Sequence, residues 1–208
     1  MRLATPASIL LLALVACSQD APTIVSPPPQ PRPQPTAPAQ SQPAATPAAA
    51  KTGAPHLAFD TPKGWTRSTP TSATRVAELT PPRAEGDTAD AQLVVFYFAG
   101  GAGTLDQNVA RWAQQMTAPD GTPTPRDQVR VERMEGNGLT ISWVELTGTY
   151  TPGAPMASTP PLPNARMLAA QAETAGPAYY FKFTGPDRTV AQAKDGFLAI
   201  LKSARIES

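Results

Sequence analysis

The sequence predicts an α+β domain, a mostly antiparallel β-sheet flanked by helices, within residues 56–208. Three observations predict it. Residues 93–98, Leu-Val-Val-Phe-Tyr-Phe, form a continuous β-prone run without polar alternation, as a strand covered on both faces would. Two pairs of strand-like runs meet at the turn dipeptides Asn137-Gly138 and Gly176-Pro177, which favours hairpins over long crossovers. Two amphipathic segments, one after Thr104 and one near the C-terminus, each carry a single apolar stripe, enough to cover one sheet face each.

The elements follow in order. Residues 56–59 alternate briefly like a strand and enter a turn at 60–64, with Trp65 beyond it. Residues 75–79 form a second strand, stopped by Pro81-Pro82, and 93–98 the strongest one. Gly100-Gly101-Ala102-Gly103 ends that strand and a helix begins, because Thr104 and Gln107 make a capping box. Leu105, Val109, Trp112 and Met116 recur at helical spacing, and Pro119-Asp120-Gly121 closes the helix. Residues 128–135 and 139–150 are strands joined at Asn137-Gly138, a pair that tolerates positive φ. Residues 151–163 are too rich in proline for a strand. A hairpin of 166–174 and 178–184 follows, then a helix over 189–203 with Val190, Ala193, Phe197, Leu198 and Leu201 on one face.

Upstream, residues 1–16 have the layout of a secretory leader. Arg2 is the basic start, 9–15 the apolar core, and Ala16 the small residue before a cut. The run is too short to span a bilayer, which takes about 20 residues of helix. Leu14-Val15-Ala16-Cys17 resembles the lipobox of bacterial lipoproteins, with Leu14, Val15 and Ala16 as the peptidase recognition residues. That resemblance implies a diacylglyceryl (palmitate-class) anchor on Cys17, the only cysteine, and a domain held in the periplasm. Ser18 in place of Asp implies passage to the outer membrane in preference to the inner. An ordinary cleaved leader would want a second small residue before the cut, and Leu14 is not one.

Residues 17–55, the lipidated cysteine and a tether, hold eleven prolines, no aromatic residue and only Asp20, Arg32 and Lys51 as charges. With so little apolar surface the segment cannot offset its ordering entropy. In polyproline form, at about 3.1 Å per residue, it would reach on the order of 100 Å. A proline-rich peptide ligand is the alternative reading, but no Pro-x-x-Pro has a convincing basic flank.

The remaining 56–208 hold fourteen Lys and Arg against fifteen Asp and Glu. A near-neutral domain without a basic block excludes the usual nucleic-acid footprint. With no cysteine after Cys17 it has no disulfide, so packing alone must hold it.

Phe59-x-x-Pro62-x-Gly64-Trp65, the segment 103–112 and the ending Tyr180-Phe181-Lys182-Phe183-Thr184-Gly185-Pro186 resemble uncharacterised bacterial exported lipoproteins. More distantly, the Pro-x-Gly-Trp opening and the order of elements resemble the PsbP/Mog1/DcrB group. That resemblance implies an α/β/α sandwich used mainly for binding, with no catalytic residues to carry over; a fold does not transfer a function.

Candidate sites are few. Gly100–Gly103 before a helix is the place for a phosphate, but it lacks a P-loop lysine, and a tight turn explains it. His56, the only histidine, is expected to be exposed at the tether junction. Glu85-Gly86-Asp87-x-x-Asp90 concentrates acid without matching a calcium loop. Asn108, Arg111 and Gln115 beside Trp112 are either a polar binding patch or, as preferred, a solvated helix face. Tyr179, Phe181 and Phe183 against Tyr180 and Lys182 read as a strand with one buried face. No metal, cofactor or catalytic residue is expected. The leading expectation is a membrane-anchored, non-enzymatic binding or scaffold module for an envelope protein or small ligand. A periplasmic hydrolase with an unidentified acidic site is the alternative.

Overall fold

Every backbone donor of a strand must find an acceptor, and here the solution is antiparallel throughout. A computed structural model of the chain describes residues 56–118, 120–153 and 159–207. The leader, Cys17 and the tether lie outside the described residues.

The described elements are β1 (His56–Ala58), β2 (Thr66–Ser68), β3 (Arg75–Thr80), β4 (Gln92–Tyr97), α1 (Leu105–Gln114), β5 (Met116–Thr117), β6 (Val131–Gly136) and β7 (Leu139–Tyr150). They continue with β8 (Leu162–Glu173), β9 (Tyr179–Pro186), α2 (Asp187–Gln192), α3 (Lys194–Ser203) and β10 (Arg205–Glu207). The main sheet runs β2-β3-β4-β9-β8-β7-β5, with β6 also on β7; β1 and β10 pair separately. The expected α+β class, an antiparallel sheet between helices, is the observed one.

Local chemistry explains the turns. Asn137 (φ 49°) and Gly138 (φ 77°) both take the positive φ their two-residue hairpin requires. Thr174 closes the β8–β9 turn, its hydroxyl accepting from Gly176 N at 3.0 Å and donating to Pro177 O at 3.0 Å. The capping box of α1 is complete: Gln107 N donates to Thr104 Oγ1 and Thr104 N to Gln107 Oε1.

Several boundaries differ from expectation. The helix around Trp112 ends at Gln114, and Met116 is buried from a two-residue strand instead. Residue 128 closes a 3₁₀ turn, Arg126–Gln128, so the strand starts at Val131. The last helix breaks at Ala193 into α2 and α3, and Ile200 joins its buried face while Leu198 is only partly buried. Leu162 and Pro163, expected outside the sheet, begin β8. The register shifts between Gly148 and Tyr150, so Pro163 sits at an irregularity, where a missing N–H is tolerated.

Two apolar layers result. On one face Leu79, Val95, Leu168, Phe181 and Phe183 meet Val190, Phe197, Ile200 and Leu201 of α2 and α3; Phe183 stacks on Phe197 at 6.0 Å. On the other, Val144, Leu146, Met167, Ala169 and Tyr180 meet Val109, Trp112 and Ala113 of α1. The pair α2–α3 closes the first face. On the second face a groove remains beside α1, over β4 and β9.

Candidate functional site

Alternation along β9 sends Tyr179, Phe181 and Phe183 to the α2–α3 face and Tyr180, Lys182 and Thr184 to the α1 face. Both faces of this strand are covered, which corrects the reading of a single buried face: Tyr180 is only 6% exposed. Lys182 pairs across the sheet with Val94 on β4 and Ala169 on β8, both buried. Its stem therefore lies among apolar groups.

Lys182 Nζ donates to Gln115 Oε1, at the C-terminal end of α1, and to Tyr150 Oη at 3.0 Å. The ammonium also lies 4.9 Å from the Tyr150 ring centroid. Burial, reinforced by the positive charge of Arg111, lowers the Lys182 amine from its ordinary 10.5 to about 8. Burial also raises the Tyr150 phenol, so that group stays protonated near neutrality. Among the described residues no carboxylate lies within 4.0 Å of Lys182 Nζ.

Two cavities share Lys182 and Phe96 in their walls. The larger, about 330 Å³, is lined by Arg75, Gln92, Val94, Tyr150, Leu162 and Thr184 among others. The smaller, about 190 Å³, runs under α1 beside Phe98, Arg111, Trp112 and Tyr180. Arg75 is committed to the buried Glu78, with Nη1 3.1 Å from Oε1. That carboxylate also accepts from Thr71 N (2.8 Å), Thr71 Oγ1 (2.7 Å) and Gln92 Nε2 (3.2 Å). Burial pushes the Glu78 pKa up, but the bonds from Thr71 and Arg75 outweigh it and hold the group below its ordinary value. Glu78 is an anchored anion and not a proton donor.

The other candidates resolve differently. Asn108 is buried, not solvated, and its amide donates to Gln171 Oε1 at 3.1 Å. Arg111 is exposed and donates to Ala102 O at 2.9 Å. Thus Gln115 and Arg111 border the groove while Asn108 fixes α1 to β8. Gly101 (φ 75°) and Gly103 (φ 93°) take turn conformations. Several N–H groups there are already used: Gly101 N bonds Phe98 O, Ala102 N bonds Tyr180 Oη, and Thr104 N bonds Gln107 Oε1. The acidic loop is structural, since Asp87 Oδ2 accepts from Thr189 N and Oγ1 in α2 and Asp90 pairs with Arg83. His56 is exposed, 3.9 Å from Glu207. Among the described residues no group of His, Cys, Asp and Glu could hold a metal ion. Nor is any described helix long and apolar enough to cross a membrane. Lys182 itself was legible only as one partner in an aromatic alternation; nothing local marks it as a groove residue.

No family model and no curated protein matches the chain. Its fold is similar to that of cyanobacterial PsbP (CyanoP) from Synechocystis sp. PCC 6803, at 12% identity and a TM-score of 0.41, over 73% of this chain and 92% of that one. It is also similar to LpqN, involved in cell envelope biogenesis of Mycobacterium tuberculosis, at 11% identity and a TM-score of 0.44, over 77% and 88%.

Proposed function

We propose that this chain is a cell-envelope lipoprotein, anchored through Cys17, whose domain is a non-enzymatic binding head for a small ligand. The observation that carries the binding reading is the groove on the α1 face, where Lys182, Tyr150, Gln115 and Thr184 converge between apolar walls. A protein-docking surface built on a large apolar patch has less support: Val76 is the one exposed large hydrophobic among the described residues. The anchor reading is supported by the Leu14-Val15-Ala16-Cys17 sequence and by the proline-rich composition that follows it. A tethered head works by position. Acyl attachment confines it to one surface and raises its effective concentration there, so modest affinity is sufficient.

Both parts are testable on the full chain. Cys17→Ser should move the protein from the membrane pellet to the soluble fraction after carbonate washing; retention in the pellet overturns the anchor. That soluble variant, isotopically labelled, should show chemical-shift changes at Phe96, Tyr150 and Lys182 with a cocktail of small organic acids, alcohols and amines. If none of the cocktail perturbs these residues, the groove is not a ligand site.

A further inference from the structure

We propose that the groove is a receptor site for a small amphipathic monocarboxylate, its anion paired with the Lys182 ammonium and its apolar body against Phe96 and Leu162. The inference rests on the ligand-binding reading above and adds the charge and size of the ligand.

The first support is a charge left over. Elsewhere in the domain partly buried cations have acids: Arg75 has Glu78, Arg166 has Glu145 and Asp187, and Lys194 of α3 has Glu145. Among the described residues Lys182 has a carbonyl oxygen and a phenol oxygen and no acid. An ammonium carries three donors, so one N–H remains for a further acceptor. Apart from Asp20, every acid of the chain is among the described residues, and none pairs with this amine. A cation in apolar surroundings is costly unless an anion compensates it, and an anionic ligand would supply that compensation.

The second support is the kind of anion the walls accept. A phosphate dianion is usually met by a guanidinium fork or a nest of backbone N–H groups. Arg75 is committed to Glu78, and Gly101 N and Ala102 N of the glycine loop already bond Phe98 O and Tyr180 Oη. One amine with nearby hydroxyls suits a single carboxylate. The third support is shape, because Lys182 lines two cavities, of about 330 and 190 Å³. Phe96, Leu162 and Val94 supply an apolar wall, and the volume lies toward the small end of ligand sites.

Pairing has a proton signature. The free amine, at about 8, is largely neutral at pH 9; a bound carboxylate favours the ammonium and draws a proton in. The groups facing it are Arg111 from α1, Tyr150 from β7, Tyr180 from β9 itself, Arg75 and Glu78 from β3, and Asp90 at the groove rim. Val94 and Ala169, opposite it on β4 and β8, do not titrate.

The test is calorimetry on the full-length Cys17→Ser chain with octanoate and 3-phenylpropionate against octanol and 3-phenylpropanol. It is run at pH 9 in two buffers of different ionisation enthalpy. The acids should bind at least about tenfold more tightly than the alcohols, with uptake of about one proton per acid bound. Lys182→Met should erase the preference for the acids over the matched alcohols. Lys182→Arg should keep much of the preference but take up no proton, because a guanidinium does not titrate there. Equal binding of acids and alcohols would overturn this inference while leaving the ligand-site reading standing, and so would acid binding untouched by Lys182→Met. Tighter binding of octyl phosphate than of octanoate would overturn the monocarboxylate assignment. Failure of every probe would overturn both readings together.

Discussion

Under α2 and α3 the sheet presents Glu145 and Arg166, and the helices answer with Lys194 and Asp187. Lys194 Nζ meets Glu145 and lies 5.3 Å from the Trp143 ring centroid, while Arg166 Nε stands 2.9 Å from Asp187 Oδ1. Under α1 the sheet presents Lys182, and the helix answers with the neutral Gln115. The first arrangement balances its charges within the fold. The second leaves one unbalanced beside a cavity. Charges that serve only architecture tend to be compensated, whereas sites that bind or react retain groups at some expense of stability. The difference between the faces is what separates scaffold from site in this chain.

The largest way to break the comparison is through packing. Phe183 is fully buried between Trp65, with ring centroids 5.2 Å apart, and Phe197. Phe183→Ala should cost about 3–5 kcal/mol in urea unfolding. Phe96, partly exposed on the groove wall, should cost about 1–2 kcal/mol on the same change. Equal losses would mean that the two faces are closed alike and that the groove is not an opening in the structure.

The charge network comes next. Burial works to raise the Glu145 pKa, but hydrogen bonds and charges from Lys194 and Arg166 hold it below the ordinary glutamate value of 4.5. A carboxylate depressed in the folded state contributes stability that is full above 4.5 and is lost as pH falls through the folded value. Glu145→Gln should therefore cost about 2 kcal/mol at pH 7, less than a fully buried pair because all three side chains keep some exposure. The gap to the parent protein should shrink below pH 4.5. A gap constant from pH 7 to pH 3 would show that the network is packing and not charge.

Most of what positions the groove was legible locally. The Thr104–Gln107 box, the Val109–Trp112 stripe, the Asn137-Gly138 turn and the double-sided run 93–98 each carry their signal within a few residues. What escaped the sequence depends on partners distant along the chain. β10 exists because Glu207 pairs with His56, and β5 because Met116 pairs with Tyr150. Lys182 is the sharpest case. Period two places it on one face with Tyr180, but only the insertion of β9 between β4 and β8 surrounds it with Val94 and Ala169. No pattern within β9 reports that insertion, and the same distance explains why Asn108, placed on a solvated face by its spacing, turns inward to Gln171.

The smallest effect sharpens the comparison most, because its sign is opposite to the others. The Lys182 amine titrates at about 8 in the folded chain against an ordinary 10.5. Between those values the unfolded chain binds more protons, so stability rises with pH through this window, and the penalty is fully present below about 8. Lys182→Met removes the penalty but also strips Gln115 and Tyr150 of a donor. The net expectation at pH 7 is a gain of about 1 kcal/mol in urea unfolding. The advantage should fade as pH rises toward 10.5. A variant less stable than the parent at pH 7 would place Lys182 with Arg166 and Lys194, as a cation the fold needs. A more stable variant would mark an amine retained for something other than folding, on the face that α1 leaves open.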